Sequence, residues 1–152
     1  MITSSNERGM CTTFLSNPKE SLTQIIPLEY GIYNKRHPCT KILVKLITGR
    51  RHQIRVHCAV AGHAILGDLL YSPSPYVHHI DRTMLHSYRL EMKLPDIASL
   101  EITEHGRNLC ETKCHGTLIV KSEDPFSYHL NYSCSQSVRS IEEAIGIFEE
   151  ML

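Results

Sequence analysis

Hydrophobic and polar residues alternate along two early stretches of the chain, and the pattern shifts to a helical period twice further on. Residues 23–33, which include Gln24, Ile25, Ile26, Pro27, Leu28, Glu29 and Tyr30, predict a strand. Pro27 asks for an edge position there, because proline has no N–H to give to a ladder. Residues 41–47 alternate Lys41, Ile42, Leu43, Val44, Lys45, Leu46 and Ile47 as a second strand, with 34–39 as the turn of an antiparallel hairpin. Thr48-Gly49 breaks this strand. Residues 52–61 then predict a short helix, with Ile54, Cys58 and Ala61 along one apolar face and Gly62 as its stop.

Beyond it, residues 64–70 form a short apolar step ending in Gly67-Asp68, and residues 72–77, with two prolines, read as a loop that leads into His78-His79. Residues 84–94 alternate as a strand closed by Pro95, and 100–103 and 118–121 predict two shorter ones. Residues 138–152 predict a helix that packs Ile141, Ala144, Ile145, Phe148 and Leu152 on a sheet and leaves Glu142, Glu143, Glu149 and Glu150 in water. The fold class expected is α+β: an antiparallel or mixed sheet, a short Arg-bearing helix and a C-terminal helix. Residues 1–21, rich in Ser, Thr and Asn, are expected to be a mobile leader or a truncation edge.

Composition adds little until the charges are located. The 152 residues carry 16 Lys plus Arg and 16 Asp plus Glu, a net charge of zero that argues against a nucleic-acid binder. Yet residues 30–67 hold no acid at all and seven bases: Lys35, Arg36, Lys41, Lys45, Arg50, Arg51 and Arg55. Zero is therefore the sum of a +7 segment and a −7 remainder. Such a block seeks an anion, phosphate first, although a solvated basic face is the commoner fate of Lys and Arg. Arg50 and Arg51 fall at the start of the expected helix, where the dipole prefers Asp or Glu, so an anion opposite them would relieve a local conflict. Six scattered cysteines without a secretory leader suit reduced thiols in an intracellular protein. No stretch reaches the roughly 20 apolar residues of a membrane span.

The run Leu46-Ile47-Thr48-Gly49-Arg50-Arg51-His52-Gln53-Ile54-Arg55-Val56-His57 is followed by Gly62-His63, by Leu66-Gly67-Asp68-Leu69-Leu70-Tyr71 and by Met84-Leu85-His86. Together with Leu28-Glu29-Tyr30-Gly31 and the Thr40-Lys41 step before it, this ordered set resembles the C-terminal motifs of the RluA-type pseudouridine synthases. The resemblance covers residues 22–95 and implies the C-terminal half of a synthase catalytic domain, with 96–152 as a diverged extension bearing the terminal helix. It implies isomerisation of uridine to pseudouridine in structured tRNA, rRNA or mRNA, without cofactor or metal. The glycosidic bond is broken, the base turns, and it is rejoined through carbon.

By the same resemblance, Arg55 matches the family's arginine that holds the catalytic aspartate, since a guanidinium keeps a carboxylate ionised and oriented. That aspartate belongs to a His-Arg-Leu-Asp motif, and a tyrosine that stacks on the base lies between the two; these 152 residues contain neither motif. Ala64 and Ser87 stand where the family often has proline and alanine. The chain is thus expected to carry the arginine without the residue it serves, and to be inactive alone. Lys45, Gly49, Arg50, Arg51 and His52 are the expected RNA contacts. A non-catalytic RNA-binding module using the basic segment 35–55 is the alternative.

Asp68, in Leu-Gly-Asp, is expected to tie down the turn after the helix by accepting backbone N–H bonds, and not to act as nucleophile. Cys110, Cys114, His115 and Cys134 have metal-ligand chemistry, but Cys-x3-Cys-His lacks a matching second pair, so ordinary thiols account for them better. His52, His57 and His86 suit either packing or a site.

Overall fold

A computed structural model describes residues 19–72, 80, 82–94, 110–113, 117–126 and 132–151. The described chain separates into two compact units, one of residues up to 84 and from 132 onward, the other between 85 and 126.

In the first unit, strands β1 (Thr23–Tyr33) and β2 (His37–Leu46) form the expected hairpin. The sheet order is β2-β1-β6, with β6 being Tyr132–Ser137, so β1 lies in the centre and not at an edge. Pro27 is still accommodated, because β6 pairs only with residues 29–33 of β1, and at Pro27 the ladder has β2 alone as partner. The β1–β2 register also shifts between Pro27 and Glu29, a bulge that takes up Leu28. β6 itself carries no alternation of apolar residues, which is why the sequence pattern does not reveal it.

The core of this unit is Ile26 and Leu28 of β1 against Ala144 and Phe148 of the last helix, with Leu43, Ile141 and Ile147 around them. That helix runs Ile141–Glu150, shorter at both ends than its apolar stripe predicts. The Arg-bearing helix α1 spans Gln53–Val60; the later helix is α2. α1 ends as the sequence implies. Gly62 takes a left-handed φ of 83°, the Gly62 N–H meets the Ala59 carbonyl at 3.0 Å, and the His63 N–H meets that of Cys58 at 2.9 Å, a Schellman motif.

In the second unit, β3 (Arg89–Lys93), β4 (Cys110–Lys113) and β5 (Thr117–Lys121) make an antiparallel sheet in the order β3-β5-β4, with Ile119 of the central strand fully buried. The strand expected over 84–94 is ordered as a ladder only from Arg89, and β5 closely matches the one expected over 118–121. The expected strand over 100–103, His78-His79, Cys114 and His115 lie outside the described residues. Among those described, no helix is long and apolar enough to cross a membrane.

Candidate functional site: a buried arginine–aspartate fork beside free cations

The chain leaves β2 at Leu46, and Gln53, the first residue of α1, governs how it turns into the helix. Its side chain is buried and makes four hydrogen bonds. Nε2 donates to the Leu22 carbonyl and to Thr23 Oγ1, both at 2.9 Å, while Oε1 accepts from Thr48 Oγ1 at 2.9 Å and from the Arg50 N–H at 3.1 Å. One amide thus fastens the start of β1, the end of β2 and the approach to α1 together, with its polar capacity well used. His57, one turn on, adds Thr23 Oγ1 on Nδ1 at 2.8 Å and Ser21 Oγ on Nε2 at 3.0 Å. Cys58 is the buried apolar contact of the helix, and burial pushes its thiol pKa up.

Arg55 projects from the same helix onto Asp68. Its Nε meets Oδ2 and its Nη2 meets Oδ1, each at 2.7 Å, a bidentate pair. Asp68 has no exposed surface. Oδ1 also accepts the backbone N–H groups of Leu70 at 3.0 Å and Tyr71 at 3.1 Å, as the expected turn requires. Burial works to raise the Asp68 pKa, but the Arg55 fork and the two N–H donors outweigh it and hold the carboxyl below the usual carboxylate range. The same bond raises the Arg55 pKa.

Gly67 makes this placement of Asp68 possible. Its φ is +79°, and a Cβ there would run into the Arg82 carbonyl, so no other residue fits the turn without displacement. The turn is pinned from outside by the Met84 N–H on the Leu66 carbonyl at 2.8 Å. Tyr71, buried, completes the node: the Arg55 guanidinium carbon lies 4.9 Å from its ring centroid, and its hydroxyl is 2.9 Å from His52 Nδ1.

The five expected RNA contacts fare differently. Arg50 and Arg51 are exposed and, among the described residues, their side chains meet no acid. They precede the helix cap His52, so they stand just before the first turn and not within it. Gly49 is exposed, with open space where a Cβ would go, so nothing within the fold demands glycine there. His52 is half-engaged, with Nδ1 on Tyr71. Lys45 has a partner within the fold. Its ammonium donates to the Phe148 carbonyl at 2.9 Å, in the last turn of α2, and lies 5.7 Å from the Phe148 ring centroid, so it serves the fold. Sequence reasoning placed Asp68 in its turn but missed its pairing with Arg55, and missed Gln53 and Tyr71 as fixed points. All three lie within the quoted motif blocks, and the spacing Gln53-x-Arg55 with Asp68-x-x-Tyr71 was the available signal.

Fold and node together define an α+β domain that fixes one arginine internally and leaves two more exposed just before the same helix. Known proteins show what part of the chain is similar to. The family model described as RNA pseudouridylate synthase matches residues 2–60. Human RNA pseudouridylate synthase domain-containing protein 1 is 46% identical over 77 residues, covering 50% of this chain and 24% of that protein. The dual-specificity RNA pseudouridine synthase RluA of Vibrio cholerae is 39% identical over 72 residues, covering 47% of this chain and 27% of that protein. The solved structure of the human RNA pseudouridylate synthase domain containing 1 superposes with a TM-score of 0.68 at 31% identity, over 88% of this chain and 48% of that one. Over the matched segment this chain is similar to RluA-type pseudouridine synthases. It spans about a quarter of the length of the curated relatives it matches. The structural likeness reaches well past the half matched in sequence.

Proposed function

We propose that this chain is the RNA-contacting, arginine-bearing portion of an intracellular pseudouridine synthase that isomerises uridine in structured RNA. The observation that carries the reading is the contrast among three arginines on one short segment. Arg55 is held rigidly by Asp68, while Arg50 and Arg51, just before an uncapped helix, keep their guanidinium groups free for phosphate.

Arg55 spends only Nε and one Nη2 proton on Asp68. Its other edge, Nη1 with the second Nη2 proton, remains as a fork of the right shape for another carboxylate. That edge is the proposed seat of a His-Arg-Leu-Asp aspartate supplied from outside these 152 residues. Asp68 does not take that role, because a fully buried carboxylate with both oxygens engaged can reach no nucleotide. Gly49 leaves the backbone bare where a phosphate approaches, and the unspent Nε2 of His52 faces the same task.

Two measurements test this. A tritium-release assay on uridine-containing RNA is expected to show no turnover by this chain alone, and turnover would remove the assignment of the missing aspartate. Filter binding across a salt series is expected to show a log–log slope that falls by about 1.4–1.8 when Arg50 and Arg51 are both changed to Ala, since each phosphate contact contributes about 0.7–0.9. An unchanged slope would remove RNA contact by this pair. A non-catalytic RNA-binding module relies on the same cations and is distinguished by silence even when an aspartate-bearing family segment is added.

A further inference from the structure

The structure divides the acid-free stretch of seven cations in a way the sequence does not show. Lys41 pairs with Glu29 at 3.3 Å, Lys45 is on the Phe148 carbonyl, and Arg55 is on Asp68. Lys35, Arg36, Arg50 and Arg51 stay exposed, and among the described residues their side chains meet no acid. These four form two pairs at opposite ends of β2. A strand of that length rises about 33 Å, so the pairs stand roughly 30 Å apart.

The distant pair sits on a β1–β2 turn of unusual composition. Asn34 and Lys35 have φ of 54° and 57°, and the Arg36 N–H reaches the Tyr33 carbonyl at 3.2 Å, the pattern of a type I′ turn. Such turns favour Asn-Gly, and Asn34 meets the first preference. Lys35 stands where glycine would fit without steric cost. Below the tip, buried Tyr33 is paired with His37 on one side and Tyr132 on the other, so the two cations project from a three-stranded base. The neighbouring strand β6, Tyr-Ser-Cys-Ser-Gln-Ser, contains no charge.

We infer that Lys35 and Arg36 form a second phosphate-binding point, and that the RNA partner is a folded, double-helical arm gripped there and at Arg50–Arg51. This rests on the reading of Arg50 and Arg51 as RNA contacts. A double helix is stiff over that distance and carries phosphates along its whole length, so it offers them to both points at once. A short single strand reaches only one of them. A protein segment would need two acidic clusters at the same separation, whereas the spacing is intrinsic to a duplex.

The test compares the full chain with two double variants, Lys35→Gly/Arg36→Ala and Arg50→Ala/Arg51→Ala. Salt-dependent binding is measured on an RNA hairpin of about 20 base pairs and on a single strand of about three nucleotides, too short to reach both pairs. The expected result is that Lys35→Gly/Arg36→Ala lowers the slope by about 1.8 on the hairpin and leaves the short strand unaffected. Its Tm holds or rises, because glycine relaxes the turn; binding lost together with Tm would be a folding defect and would overturn the inference. An unchanged hairpin slope in this variant, with a reduced one in the Arg50/Arg51 variant, overturns the inference and leaves the proposed function standing. Slopes unchanged in both variants overturn both. Polyglutamate that competes as well as the hairpin overturns the RNA assignment.

Discussion

The two helices of the first unit are of similar length, yet they are held in place by different physics. α2 follows every local rule. Ser140 Oγ accepts the Glu143 N–H at 3.1 Å while Glu143 returns a carboxylate to the Ser140 N–H at 2.8 Å, a capping box. Glu142 and Glu143 suit the positive end of the dipole, and Ala144 and Phe148 enter the core. α1 breaks the same rules. Its cap His52 is left-handed at φ 56° and makes no capping bond, its first turn has no acid, two arginines precede it, and its buried residues are a glutamine and a cysteine. Helix α2 is fixed by apolar packing, and α1 by Gln53, His57 and the Arg55–Asp68 fork. Local rules are commonly broken where a surface is kept for a ligand, and α1 is the helix preceded by the exposed pair Arg50 and Arg51.

The largest expected effect separates these two modes of support. Asp68→Ala leaves the Arg55 charge without its partner and two backbone N–H groups, that of Tyr71 buried, without an acceptor, and should destabilise the first unit by about 3–5 kcal/mol. Urea unfolding of the wild type and the variant measures it. A loss below 1 kcal/mol would mean that α1 is held by apolar contact after all. The same bond has a pH signature. Because the folded pKa of Asp68 is depressed from 3.8, its stabilisation is complete above the unfolded value and is lost as pH falls through the lower folded one. Acid unfolding below about pH 4 should therefore show a steep contribution in the wild type that Asp68→Ala lacks.

Next in size is Gln53→Ala, which takes one hydrogen bond each from the Leu22 carbonyl, Thr23, Thr48 and the Arg50 N–H; about 2–4 kcal/mol is expected. Ser140→Ala removes only the capping bond of α2, worth about 1 kcal/mol. If Ser140→Ala cost as much as Gln53→Ala in thermal or urea unfolding, the distinction between the helices would fail.

How far the sequence reveals this molecule follows the same division. β1, β5, the stop of α1 at Gly62 and the apolar stripe of α2 are written in local patterns, since each depends on residues close along the chain. β6 is not, because its exposed Ser133, Ser135 and Ser137 carry no periodicity and the strand exists through its ladder with β1. The hairpin misled in one respect: Pro27 implied an edge strand, but a central strand tolerates it where the third strand has not yet begun. Motif resemblance picked out Arg55, yet its bond to Asp68 spans 12 intervening residues, from the helix into the turn beyond it, that no period connects. The division of the cations is hidden from the sequence for a similar reason. Seven charges contiguous in sequence looked like one patch, whereas a strand 10 residues long parts the four that remain exposed.

The smallest expected change in stability is the sharpest comparison of function with fold. Arg51→Glu replaces a cation by an anion beside the N-terminus of α1, where the dipole and unpaired N–H groups favour negative charge, and should stabilise the helix by about 0.3–1 kcal/mol. On the proposed reading, the same change puts a repulsive charge where phosphate docks, so RNA affinity at low salt should fall more than in Arg51→Ala. Equilibrium unfolding and filter binding of one preparation report both quantities. Opposite signs would show that Arg51 is kept at a cost to the helix for the sake of an anionic partner. A variant that gains stability and keeps its affinity would mean that phosphate does not sit there, and the free cations of α1 would then be a solvated surface.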